Sequence, residues 1–119
     1  MLFTMNLTYR VDERDERFVT KKLQEYSHGY VSTFIAGLLT DMSIMERKIE
    51  FEFGKQELVL HVDTFGVDLE PDEQEQIEMM MRDAYIQFVD TPIVKDNREI
   101  YLEDVDDPKI SVMESQAEE

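Results

Sequence analysis

Residues 49–62 read IEFEFGKQELVLHV, two alternating runs around a glycine. Ile49, Phe51 and Phe53 alternate with Glu50 and Glu52. Leu58, Leu60 and Val62 alternate with Val59 and His61. A period of two puts neighbouring side chains on opposite faces of a strand, so the stretch predicts a β-hairpin with one apolar face. A two-residue turn at Gly54-Lys55, with glycine in the first central position, suits a type II′ turn. That turn pairs Phe51 with Leu58 and Ile49 with Leu60 on one face, and Glu52 with Glu57 and Lys48 with His61 on the other. A one-residue slip would break this agreement.

Outward from the hairpin the period changes. Upstream, Phe3, Met5, Leu7, Tyr9 and Val11 alternate with Thr4, Asn6, Thr8 and Arg10, which predicts a half-buried strand. From Asp12 to Asp41 the spacing becomes helical: Val19, Leu23, Tyr26, Tyr30, Phe34 and Leu38 step by three or four, with Ile35 and Leu39 widening the stripe. Asp12 suits the N-cap, and Ser27-His28-Gly29 is the natural place for a kink. Thirty helical residues would span about 45 Å, which is long for a domain this small.

Downstream, Glu70-Pro71-Asp72-Glu73 opens a second helix, with proline at the first helical position and acids in the first turn. Ile77, Met80, Met81, Ala84, Tyr85 and Phe88 form its buried stripe; Met79 falls off that stripe. Asp90-Thr91-Pro92 ends it. Arg98 to Glu103 reads as a fourth strand, and Ile110-Ser111-Val112 as a short edge strand or a loosely docked segment. Residues 1–112 are expected to form one acidic α+β domain, and 113–119 a disordered tail. The element order βαββαβ predicts a four-stranded, mainly antiparallel sheet with two main helices, in the ferredoxin-like split βαβ arrangement or a relative of it.

Composition narrows the chemistry. The 119 residues contain no cysteine, which removes disulfide scaffolds, thiol nucleophiles and cysteine-based metal centres. The opening MLFTMNLTYRV has no basic start followed by an apolar run, so no signal peptide is expected. The longest apolar stretch, Tyr30 to Met42, falls short of the roughly 20 residues that span a bilayer. The expected location is the cytoplasm. No phosphate-binding or nucleophile-elbow motif occurs, and the four glycines are too scattered to build one. His61 and Asp63 share a strand face but offer too few metal ligands, with Lys48 nearby. Glu103 to Pro108 lacks the glycine of a calcium loop. The expectation is a non-enzyme without metal or cofactor.

Charge is the most informative feature. The net charge is −16. Residues 1–62 hold 10 acids and 8 Lys/Arg, while residues 63–119 hold 18 acids and 4 Lys/Arg. The second half therefore carries nearly all the excess. Such a field repels nucleic acid and anionic membranes and favours a basic partner protein. The candidate partner-binding face is the outer side of the second helix (Asp72, Glu75, Glu78 and Asp83) together with Glu99, Glu103, Asp104, Asp106 and Asp107. Carboxylates in a row could stand in for phosphates before a nucleic-acid-binding protein. In size and charge the chain resembles small acidic phage-encoded anti-defence proteins and the acidic immunity proteins that neutralise nucleases, which implies an inhibitor or DNA-mimicking decoy. The alternatives are an assembly subunit that homodimerises through the first helix, with Tyr26 and Tyr30 as contacts, or a small-ligand binder.

Overall fold

The computed structural model describes residues 1–114. Most of the predicted tail, residues 115–119, lies outside the described residues; Met113 belongs to the last strand.

Four strands form the main sheet: β1 (Leu2–Thr8), β2 (Lys48–Gly54), β3 (Glu57–Asp63) and, after two shorter strands, β6 (Lys109–Met113). Their order is β2-β3-β1-β6, and every neighbouring pair is antiparallel. β1 and β2 are therefore parallel, linked by a helix and separated by β3. β3 and β6 are likewise parallel, linked by helices and separated by β1. This is the split βαβ order that the sequence predicts. The inner face stacks Phe51, Leu60, Met5 and Ile110 in one cross-strand row and Ile49, Val62, Phe3 and Val112 in the next. Phe3, Met5, Leu58, Leu60 and Val62 are wholly buried.

The fourth sheet strand is Lys109–Met113, not Arg98–Glu103. Arg98–Ile100 forms β5, which pairs with β4 (Ile93–Lys95) in a separate hairpin. Its turn is Asp96-Asn97, with φ of 51° and 63°. Positive φ at both central positions is what a type I′ turn demands, and Asp and Asn tolerate it. That signal was present in the sequence, between two short apolar runs.

The long hairpin also turns one residue later than expected, at Lys55-Gln56, so Phe51 opposes Leu60 and Ile49 opposes Val62. The apolar face is unchanged, because both registers preserve its parity. Two contacts accompany the observed turn. Gly54 pairs with Glu57, where a Cβ on residue 54 would lie 2.8 Å from Glu57 Cγ. Gln56, at φ 56°, is anchored by its side chain: Val11 N–H donates to Oε1 at 3.3 Å, and Nε2 donates to Val11 C=O at 3.3 Å and to Glu16 at 2.9 Å. The alternation pattern is blind to both.

The first helix begins as a 3-10 turn, Glu13–Asp15, capped by Asp12, which accepts from the Arg14 N–H. It continues as α1 (Glu16–Tyr26), a π turn (Ser27–Val31) and α2 (Ser32–Asp41). The π turn falls on the predicted kink. Here the Ser32 N–H reaches back five residues to the Ser27 carbonyl, the signature of an extra residue in the turn. That residue rotates the helix beyond it. The buried line runs Val19, Leu23, Ser27, Val31, Ile35 and Leu39, whereas the α-period predicts that it passes through Tyr26, Tyr30, Phe34 and Leu38. Ile35 and Leu39, expected to widen the stripe, carry its buried line; Tyr26, Phe34 and Leu38 lie half-buried along the flank against the core, and Tyr30 is exposed.

The second helix opens with a reciprocal capping box between Glu70 and Glu73 and proline at the first position, which satisfies two end donors. It is split into α3 (Pro71–Asp83) and α4 (Ile86–Asp90). At the break, Tyr85 turns fully inward. Its Oη lies 2.6 Å from Ser27 Oγ, and the neighbouring Tyr26 Oη–H donates to the Ala84 carbonyl at 3.2 Å. The two helices are thus pinned where each departs from α-geometry. Among the described residues, no helix is long and apolar enough to cross a membrane.

Candidate functional site

The second helix is where sequence and charge place a partner-binding face, and its geometry divides that face in two. At 3.6 residues per turn, Asp72, Glu75, Met79 and Asp83 follow one flank. Glu78 sits on the opposite flank and is half-buried. The Asp72 flank meets the displaced stripe of the long helix. Phe34 and Leu38 form one wall of a groove of about 290 Å³; Met79 and Met80 form the other, with Asp72, Glu75 and Asp83 on the rim. Tyr30 continues the apolar wall, stacked on Phe34 at 5.7 Å and 12°. Met79 is 55% exposed and Tyr30 46%.

Asp83 also lines a second concavity. This cleft of about 540 Å³ lies between α3–α4 and the Leu102–Pro108 segment, with Ile86, Val89 and Val105 on its floor. Asp83, Asp90, Asp106 and Asp107 are at its edge, with Arg82 as the one lining cation. One residue therefore joins the helix acids to the loop acids. Among the described residues, none of Asp72, Glu75, Asp83, Asp106 or Asp107 has a cation within ion-pair distance.

Other predicted members are placed elsewhere or engaged. Asp104 pairs with Arg10 at 3.1 Å. Glu103 exchanges backbone hydrogen bonds with Arg10, at 2.7 and 2.8 Å. Glu99 accepts a hydrogen bond from the Tyr101 hydroxyl at 2.9 Å. Of the two tyrosines, Tyr26 packs in tilted ring contacts against Tyr30 and Phe88, both at 5.1 Å, and against Tyr85 at 6.0 Å. It is spent largely inside the molecule, and Tyr30 is the one left open.

Sequence reasoning missed the strongest ion pair. Asp15 is buried at the start of the long helix and receives a two-pronged contact from Arg98 on β5, at 3.0 and 2.6 Å. The guanidinium hydrogen bonds hold the Asp15 carboxyl below the ordinary aspartate range. This pair fastens the small hairpin to the main body. Lys95 adds to it, 5.3 Å from the centre of the Phe18 ring.

The open sheet face carries Thr4, Asn6, Glu50, Glu52, Val59, His61, Lys109 and Ser111, with His61 as its one ring and no Phe, Tyr or Trp among these residues. A sheet that reads single-stranded nucleic acid uses several aromatic side chains as stacking platforms, and the one ring here is engaged by its neighbours. His61 is held between the Thr4 hydroxyl, at 3.2 Å, and the Glu52 carboxylate. Lys48 opposes Asp63 rather than His61. Among the described residues, no three metal-ligating side chains cluster closely enough to hold an ion. No protein-family model, curated protein or solved structure matches the chain.

Proposed function

We propose that the chain is an acidic interaction domain that binds a basic partner protein, acting as an inhibitor or decoy that occupies Lys and Arg side chains otherwise used on phosphates. The observation that carries this reading is the convergence at Asp83 of two carboxylate-rimmed apolar concavities. A charge excess that only kept the domain in solution would need no such pairing of acids with apolar floor. The unpaired carboxylates are hydrated and available, so a basic partner would be steered toward them and held by contacts that salt weakens. The neighbours along α3, spaced about 5–6 Å at i,i+3 and i,i+4, match a phosphate row in sign and only loosely in spacing, against about 3.4 Å of axis per phosphate on one strand. Binding of this kind needs no metal, cofactor or catalytic group, and a cytoplasmic partner would suit a chain without cysteine.

A second reading is homodimerisation along the long helix, favoured by the exposure of Tyr30. The test separating them is affinity capture from lysate at low salt and again near 0.5 M salt, where the Debye length falls to about 4 Å. Release of one dominant basic protein between the two supports the decoy reading. Capture of nothing basic, with sedimentation that shifts with concentration, sinks it in favour of the dimer.

A further inference from the structure

We propose that the groove between α2 and α3 takes an amphipathic helix of a basic partner, with apolar anchors against Met79 and the Tyr30–Phe34–Leu38 wall and Lys or Arg toward Asp72, Glu75 and Asp83. This rests on the reading of an acidic interaction domain and specifies what the partner presents.

Three observations converge on that occupant. The first is shape. Tyr30, Phe34 and Leu38 recur every fourth residue, and the wall they form is about 12 Å long at 1.5 Å per residue. That is a little over two turns of a docked helix, which would offer anchors at i, i+4 and i+7 in the helix-in-groove mode. The π turn creates this wall by moving these side chains out of the core line and onto the flank.

The second is the chemistry of the walls. Met79 is off the buried stripe and exposed, beside the buried Met80 and Met81. Methionine is flexible and polarisable, and it adapts to varied apolar partners. Tyr30 supplies a large amphipathic surface at low entropic cost.

The third is charge complementarity. No Lys or Arg occurs between Lys22 and Arg47, which covers the whole α2 wall, and Arg82 is the only one in α3. Arg82 follows Glu75 by seven residues and shares its side of the helix, but it lines the other cleft and not the groove. Among the described residues, the charged ones that line the groove are therefore three carboxylates, with no lining cation. An acidic segment or a nucleic acid would meet like charge along its whole length, while a helix with a basic rim would meet three carboxylates that have no other cation among the described residues.

The experiment uses two fluorescent peptides of identical Leu and Lys content. One is ordered to give an apolar helical stripe; the other is scrambled. Binding to the full chain is read by anisotropy for the wild type, for Met79→Gln and for Met45→Gln, the last altering an exposed methionine away from the groove (67% exposed). The expected result is a preference of about tenfold for the striped peptide, the equivalent of burying one to two apolar anchors. Met79→Gln should abolish most of that preference while leaving the salt-sensitive binding of the scrambled peptide unchanged, and Met45→Gln should alter neither. Equal binding of both peptides to the wild type would overturn the groove proposal and leave the acidic-domain reading standing as pure electrostatics. Failure of both peptides to bind would overturn the two together. Concentration-dependent self-association that blocks the peptides would assign the groove to a second copy, whose exposed Arg17 and Lys21 could supply the charge, and would also overturn the proposal.

Discussion

Ser27 Oγ and Tyr85 Oη meet at 2.6 Å in a fully buried contact between residues 58 positions apart. The contact joins the π turn of the long helix to the break between α3 and α4, so it fixes the two walls of the acid-rimmed groove relative to each other. Burial pushes the Tyr85 hydroxyl far above its ordinary value, against a smaller opposing effect of the Ser27 hydrogen bond. The bond therefore stays protonated and intact across the ordinary pH range.

Ser27→Ala should destabilise the fold by about 1–3 kcal/mol, because the buried tyrosine hydroxyl loses its partner. Adding Tyr85→Phe should recover part of that loss, since neither polar group then remains. Urea unfolding of the two single variants and the double variant gives the coupling directly; strict additivity would show the bond to be energetically idle. The raised Tyr85 value has a signed consequence. Its contribution is fully present below the unfolded tyrosine value of 10.0 and declines as pH rises beyond it, where the unfolded chain ionises and the folded one does not. Alkaline loss of stability should therefore be shallower in Tyr85→Phe.

The Asp15–Arg98 pair should show the opposite pH behaviour. The Asp15 value is lowered from 3.8, first by the Arg98 hydrogen bonds. Its contribution is complete above that unfolded value and is lost as pH falls toward and through the folded one. Asp15→Asn should be less stable than the wild type at neutral pH, and the gap should narrow as pH drops through the acid range. A gap that stayed constant down to the acid transition would mean the carboxylate charge does not matter at this position.

Gln56 tests a contest between backbone strain and side-chain anchoring. Glycine would relieve the positive φ, worth about 1–2 kcal/mol, but would forfeit three side-chain hydrogen bonds at about 0.5–1.5 kcal/mol each and add chain entropy to the unfolded state. Gln56→Gly is accordingly expected to be destabilising by about 1–2 kcal/mol in chemical denaturation. A stabilised variant would show that strain outweighs the anchor.

The sheet was legible because alternation is a local signal: Phe3, Met5 and Leu7 and both arms of the 49–62 hairpin declare their inner faces without knowledge of their partners. The fourth strand was harder. Arg98–Ile100 and Lys109–Met113 are both short and mixed, and only pairing with β1 distinguishes them. The long helix was legible as a helix, and its kink was legible at Ser27-His28-Gly29. The direction of its far half was not, because one extra residue in a π turn shifts the buried line from Tyr30 to Val31 while the spacing pattern still fits an uninterrupted helix. The acidic face was legible as composition but not as a surface. Nothing local to residues 72–107 says that Asp83 would face both the helix groove and the Asp106-Asp107 loop, that Glu78 would turn away, or that Asp104 would be taken by Arg10 from the far end of β1.

The groove and cleft acids should act together. Replacing Asp83 alone with Asn should weaken partner binding more than replacing Glu78 with Gln, because Asp83 borders both concavities. A difference of about threefold to tenfold is expected, the range of one well-placed charge contact at a partly desolvated rim. Equal effects would argue for a diffuse field in place of a defined surface.

The most direct test of the central claim is the dissociation constant of the basic protein captured at low salt, measured against ionic strength for three forms of the chain. These are the wild type, a variant with Asp72, Glu75, Asp83, Asp106 and Asp107 changed to Asn or Gln, and a charge-matched control with Glu57, Glu78, Glu99, Glu103 and Asp104 changed in the same way. The account predicts at least about tenfold weaker binding and a flatter salt dependence for the first variant, with the control close to wild type. Equal losses in both variants would contradict it and point to a diffuse field, and no loss in either would contradict it and leave the carboxylates as a solvated surface.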